Sequence, residues 1–232
     1  MNRYQYIIAF FVLIGFLSMP VLFKHFSASA LKKEIDEIED SIDFSSLSAA
    51  VKLKELGSGK EAVKQTYNTF INTYSHIANI DPQEVSGYIP IFIIMSNNNY
   101  YLYRGAINGY PCTDNIETYC YGSDDNGSFC TLDGKCWVNG SYNSAYTPES
   151  LFGQDIHSLI QTSIETKISD VLTEYNASIR DNGVSYSYSL TNNITVNPAM
   201  SIIVVFQGYP LKNTGKTYGN THQSSAQIEN IN

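Results

Sequence analysis

The chain has 232 residues and a formal net charge of −8, and only 16 % of its residues are charged. Its 18 tyrosines and 11 phenylalanines are more aromatic surface than a disordered chain carries. The acidic balance, with no basic cluster beyond Lys32-Lys33 and Lys52/Lys54, argues against non-specific nucleic-acid binding, which needs cations arrayed against phosphates.

From Tyr4 to Phe23 the chain is uncharged and almost wholly apolar. As a helix, residues 6–23 would be about 27 Å long at 1.5 Å per residue, enough to cross a hydrocarbon core. Tyr6, Ile7, Ile8, Phe10, Phe11, Leu13, Ile14, Phe16, Leu17 and Phe23 are the anchor residues of that reading. The alternative is a cleaved signal peptide, with Arg3 as its basic end, residues 7–17 as its apolar stretch and Ala28-Ser29-Ala30 as the cleavage site. Residues 1–26 are therefore read as a single-pass anchor, or as a signal removed near Ala30 to leave a secreted domain. Lys24, Lys32 and Lys33 outnumber Arg3 and would place the bulk inside by the positive-inside rule. The cysteines and the Asn/Tyr/Ser/Gly-rich body point the other way, and the bulk is expected outside.

Leu31, Ile35, Ile38 and Ile42 follow at spacings of 4, 3 and 4, a narrow coiled-coil-like seam on an acidic helix. The phase slips at Ser45 and resumes through Phe44, Leu47 and Val51 until Gly57-Ser58-Gly59 stops the helix. The seam meets either a partner helix or the chain's own domain. A second helix is expected over 60–78, with Val63, Tyr67, Phe70, Ile71 and Tyr74 on one face. Residues 27–80 thus form a helical stem, and Asp81-Pro82 starts a further turn.

Residues 81–211 read as an α+β domain. Apolar runs at 88–95 and 100–107, broken by Asn97-Asn98-Asn99, make a strand–turn–strand hairpin central to a sheet. A Gly/Asn/Asp/Ser-rich loop over 108–146 carries all the cysteines. Thr147 caps, and Pro148 opens, one long helix over 148–179 with an apolar stripe from Phe152 through Ile164 to Tyr175. Strands are expected over 184–190 and 200–209, and the polar residues 212–232 as a disordered tail. The fold class is α+β: a membrane helix and helical stem, a mainly antiparallel sheet of about four strands, one long packed helix and a disulfide-bearing loop.

Cys112, Cys120, Cys130 and Cys136 are spaced C-x7-C-x9-C-x5-C, without the C-x-x-C knuckle of a zinc site. Two disulfides in an oxidising compartment are expected. Leu132-Asp133-Gly134 as a three-residue hairpin loop sets Cys130 opposite Cys136, whereas a two-residue Asp133-Gly134 turn would not. The first register favours Cys112–Cys120 with Cys130–Cys136. No nucleophile motif, metal-binding motif, P-loop or dinucleotide fingerprint is present, so no catalytic residue, metal or cofactor is expected. His157 lies beside the apolar stripe of the long helix and is read as a partly buried, hydrogen-bonded side chain. Asp124-Asp125-Asn126-Gly127-Ser128 lacks the EF-hand order and is read as a solvated turn.

The apolar start, the seam at Leu31–Val51, the strands near 89–107 and 184–207 and the loop from Cys112 to Cys136 together resemble type IV pilin-like proteins and pseudopilins. The likeness is one of layout, since no glutamate stands near the start of the apolar run. It implies a non-enzymatic subunit of a surface or secretion assembly, held in the lipid bilayer by its first helix and packed on other protein subunits. The alternative is a tethered or secreted domain that binds a surface ligand or serves in adhesion, which a pocket between the sheet and the long helix would favour.

Overall fold

The computed structural model describes residues 3–57, 59–96, 98–104, 116–122, 127–179, 201–212 and 217–225. Three helices come first: α1 (Arg3–Leu56), α2 (Lys60–Ala78) and the short α3 (Pro82–Gly87). Strands β1 (Ile91–Met95), β2 (Tyr100–Arg104) and β3 (Ile116–Tyr119) follow, then three short strands, β4 (Phe129–Cys130), β5 (Cys136–Val138) and β6 (Ser141–Tyr142). Helices α4 (Pro148–Phe152) and α5 (Ile156–Ile179) precede the last two strands, β7 (Ser201–Pro210) and β8 (Thr217–Ser225). The architecture is α+β, as expected.

The sheet has five strands in the order β3-β2-β1-β7-β8, every neighbouring pair antiparallel. β1 lies at its centre and every one of its residues is buried. Because successive side chains point to opposite faces, Phe92 and Ile94 join one core with α1 and α2, while Ile91, Ile93 and Met95 join a second with α5. Cross-strand partners extend both layers: Phe92 sits between Tyr103 and Val204, and Ile93 between Leu102 and Ile203. On the helix side, Tyr67 and Phe70 meet Phe92 edge-on, with ring centroids 5.4 and 5.9 Å away. On the other side Ile160, Ile164, Ile168, Val171 and Leu172 of α5 recur at helical spacing and are all buried.

α1 is one unbroken helix, about 80 Å long at 1.5 Å per residue. The side chains of residues 3–23 lie outside the described residues, and with them the anchor expectation; among the described residues no helix is long and apolar enough to cross a membrane. Ile38 and Ile42 are buried and Leu31 and Ile35 partly so, packed in the core of the chain's own domain rather than left for a partner helix. Beyond Ile42 the buried face continues through Ser45, Ser46, Ala49, Ala50 and Leu53. The expected continuation through Phe44, Leu47 and Val51 is wrong: these three are exposed. Small residues keep the face because α2, with Ala62 and Val63 in the same core, packs there and large side chains would hold it off. Gly57, at φ +75°, ends the helix by donating its N–H to the Leu53 carbonyl at 2.9 Å.

Four other expectations need correction. The helix over 148–179 is two helices. Gly153 (φ +68°) closes α4 with its N–H on the Glu149 carbonyl, and Asp155 caps α5 by accepting from the Ser158 N–H at 2.9 Å. The tail from 212 is not all disordered, since β8 pairs with β7 along its whole length. The loop over 108–146 contains a sheet strand, β3, and a separate three-stranded sheet, β4-β5-β6. His157 is exposed rather than partly buried, because it points off the α5 face that meets the sheet. The expected strand over 184–190 and the turn at Asp124-Asp125-Asn126 lie outside the described residues.

The two faces of α1 predict opposite mutational responses. Ala50→Leu should destabilise the chain by about 1–3 kcal/mol through overpacking. Phe44→Ser should change stability by less than about 0.5 kcal/mol, as expected of an exposed site. Urea unfolding followed by circular dichroism checks both.

Candidate functional site

Three features could carry function: the outward face of α1, the cysteine hairpin, and a cavity beside α5. On α1, Phe44, Leu47 and Val51 lie one turn apart along the helix side opposite the buried seam, and are 58, 53 and 42 % exposed. Exposed apolar side chains at helical spacing present a stripe that has no partner among the described residues. The adjoining flank is tied to β8 by a polar chain. The Tyr218 hydroxyl lies 3.2 Å from Glu39 Oε1 and 2.9 Å from His222 Nε2, and His222 Nδ1 lies 3.4 Å from Asp43 Oδ1. A neutral imidazole brings one N–H, so with the phenol there are two protons for three contacts. Burial nevertheless holds the His222 pKa below its ordinary value, outweighing the pull of Asp43 and Glu39.

The hairpin confirms the three-residue loop. Cys130 stands opposite Cys136 and the two form a disulfide. Gly134 takes the left-handed conformation at φ +78°, and its N–H donates to the Thr131 carbonyl at 2.9 Å. Asn139-Gly140, both at positive φ, turns the chain from β5 into β6. The disulfide is buried against Leu159 of α5, with Leu151, Phe152 and Ile156 around it. It therefore fastens the hairpin to the long helix. Cys112 lies outside the described residues, and Cys120 carries a free, half-buried thiol whose pKa burial pushes up. The expected bond between them falls with Cys112 outside the described residues.

The cavity, about 330 Å³, opens between α5 and the β2–β3 edge of the sheet. Tyr100 and Tyr119 form its sheet side, Leu159, Thr162, Thr166 and Lys167 its helix side, and Phe152 and Gln154 of the α4–α5 corner its end. Gly122 closes the wall: a Cβ there would stand 2.6 Å from Leu159 Cδ1, and the residue sits at φ +62°. Its N–H donates to Ser163 Oγ at 3.0 Å. Tyr121, wholly buried, donates its hydroxyl to the Ser96 carbonyl at 2.9 Å and so ties this segment to the β1–β2 turn. Arg104, paired with Glu117 on β3 and Glu174 on α5, links the helix to the sheet edge close by.

Sequence reasoning found the disulfide and the seam. It missed the cavity, whose residues come from β2, β3, α4 and α5 with no shared motif. Among the described residues no group of histidine, cysteine or acidic side chains could hold a metal ion. Compared with known proteins, the chain matches no family model, no curated protein and no solved structure.

Two outcomes follow from this geometry. Replacing both Cys130 and Cys136 with alanine should cost about 2 kcal/mol, the value of closing so short a loop. The loss is read from denaturant midpoints with and without reductant, and reductant should reproduce it in the native chain. For His222, a depressed folded pKa means that the unfolded chain takes up the proton first, so stability falls as pH drops below 6.5. His222→Gln should flatten that part of the melting-temperature profile, and an unchanged profile would remove His222 as its source.

Proposed function

We propose that the protein is a membrane-anchored, extracytoplasmic structural subunit whose long first helix links a bilayer to a folded head and to neighbouring subunits. The observation that carries this reading is α1 itself. Its first part is the apolar stretch over 6–23, and its rear part, from Ile38 to Leu53, is built into the head's core. A helix continuous from one to the other passes force and position between lipid and head without a hinge. Because the seam at Leu31, Ile35, Ile38 and Ile42 is used within the chain, the surface left for a neighbour is the Phe44–Leu47–Val51 stripe. An apolar side of another subunit's helix is its natural complement. The disulfide supports an oxidising compartment for the head. Among the described residues no constellation of nucleophile and base supports an enzymatic alternative. The cavity beside α5 favours a second reading, a tethered ligand-binding domain.

The test is alkaline carbonate extraction of membranes from cells making the full chain, beside a version lacking residues 4–23. The full chain should stay in the membrane pellet and the shortened one should not. A full chain released to the supernatant, or one whose N-terminus is Leu31, would overturn the anchor. Cross-linking of the membrane-bound chain should give oligomers that the Phe44→Ser/Leu47→Ser double variant loses while keeping its circular dichroism.

A further inference from the structure

The cavity beside α5 has a chemical character that subunit packing does not use. Its phenols are committed elsewhere: Tyr100 donates to the Ser163 carbonyl at 3.2 Å, and Tyr119 to Glu117. Both therefore offer the cavity ring surface rather than hydroxyl groups, and Phe152 and Leu159 add to that surface. Thr162 and Thr166 stand one turn apart on α5 with their side chains exposed. Gln154 lines the same space, and its Oε1 has no hydrogen-bond partner in the protein. Among the described residues lining the cavity, Lys167 is the only charged one. Its Nζ stands 4.8 Å over the centre of the Tyr119 ring, a position that holds the ammonium at the cavity wall, and its ion pair to Asp170 is long at 3.7 Å.

We propose that this cavity binds a small ring-bearing carboxylate. The carboxylate sits on Lys167 Nζ and the Thr166 hydroxyl, and the ring lies against Tyr119 and Phe152. One cation, with no acidic side chain among the described lining residues, favours an anion, although the chain as a whole is acidic. A phosphate is the poorer fit, because it wants several backbone N–H donors or an arginine fork. Here the Gly122 N–H is already spent on Ser163. The size is that of one ring: about 330 Å³ stands at the small end of ligand sites, roughly 300–1,000 Å³. The site is also set before a ligand arrives, since Gly122 is packed against Leu159 and the disulfide holds the hairpin on α5. An aromatic acid and an acidic monosaccharide share this chemistry, and the experiment separates them. The inference rests on the cavity alone and stands or falls independently of the anchor.

The full chain in detergent would be titrated with benzoate and with glucuronate, and with benzamide and glucose as their neutral counterparts, by ligand-observed NMR. At least one carboxylate should saturate, and its neutral counterpart should bind about tenfold more weakly or less. Lys167→Gln should weaken the carboxylate by about tenfold without changing the far-ultraviolet spectrum, and Thr162→Trp should block the site sterically. Saturation by benzoate alone assigns an aromatic acid, and by glucuronate alone an acidic sugar. The proposal is overturned if neither carboxylate saturates, if the neutral partner binds equally well, or if both variants bind as the native chain does.

Discussion

A strand with no solvent side has to be covered twice. β1 is such a strand, apolar at every position, and its burial on both faces imposes the three-layer arrangement of α1 and α2, sheet, and α5. Each large apolar side chain so covered contributes about 1.5–3 kcal/mol. β2 and β7 satisfy its backbone on either edge, so neither edge of β1 is free. The two flanking strands inherit the same requirement more weakly, and β3 and β8, outermost among the described strands, carry polar residues.

α1 answers that demand on one side while remaining apolar on the other. The inner face uses isoleucine where it meets the sheet and alanine or serine where α2 packs. Six acidic residues between Glu34 and Asp43 occupy its remaining surface, and two of them, Glu39 and Asp43, are turned to use by Tyr218 and His222. The same helix is thus core, clamp and outer surface at once.

Much of this order was legible in the residues. The apolar runs at β1 and β2 announced a central hairpin, Thr147 and Pro148 marked a helix start, and Gly134 fixed the register of the disulfide. What escaped has a common cause. Ser45, Ser46, Ala49 and Ala50 form the buried face of α1 without being strongly apolar, so a reading by hydrophobicity jumped to Phe44, Leu47 and Val51 instead. β8, Thr-Tyr-Gly-Asn-Thr-His-Gln-Ser-Ser, has no apolar alternation, and among its described side chains Tyr218 and Thr221 are the buried ones; it is a strand because β7 offers it a ladder. Gly153 and Asp155 form a stop and a start within three residues, and the apolar stripe on either side concealed them. The cavity was invisible for a different reason, being assembled from residues as far apart as Tyr100 and Lys167.

The order of strands in the sheet also has a consequence in time. The chain is made from its N-terminus, yet β1 takes one of its two neighbours from residues 201–210. Until β7 emerges, the most apolar strand of the protein has one ladder edge bare, and α1 waits for the β8 side chains that grip it. Folding of the head is therefore a late event, closed by the last strands to arrive. In the interval any other extended segment, including β7 of a second copy, competes for the same open edge.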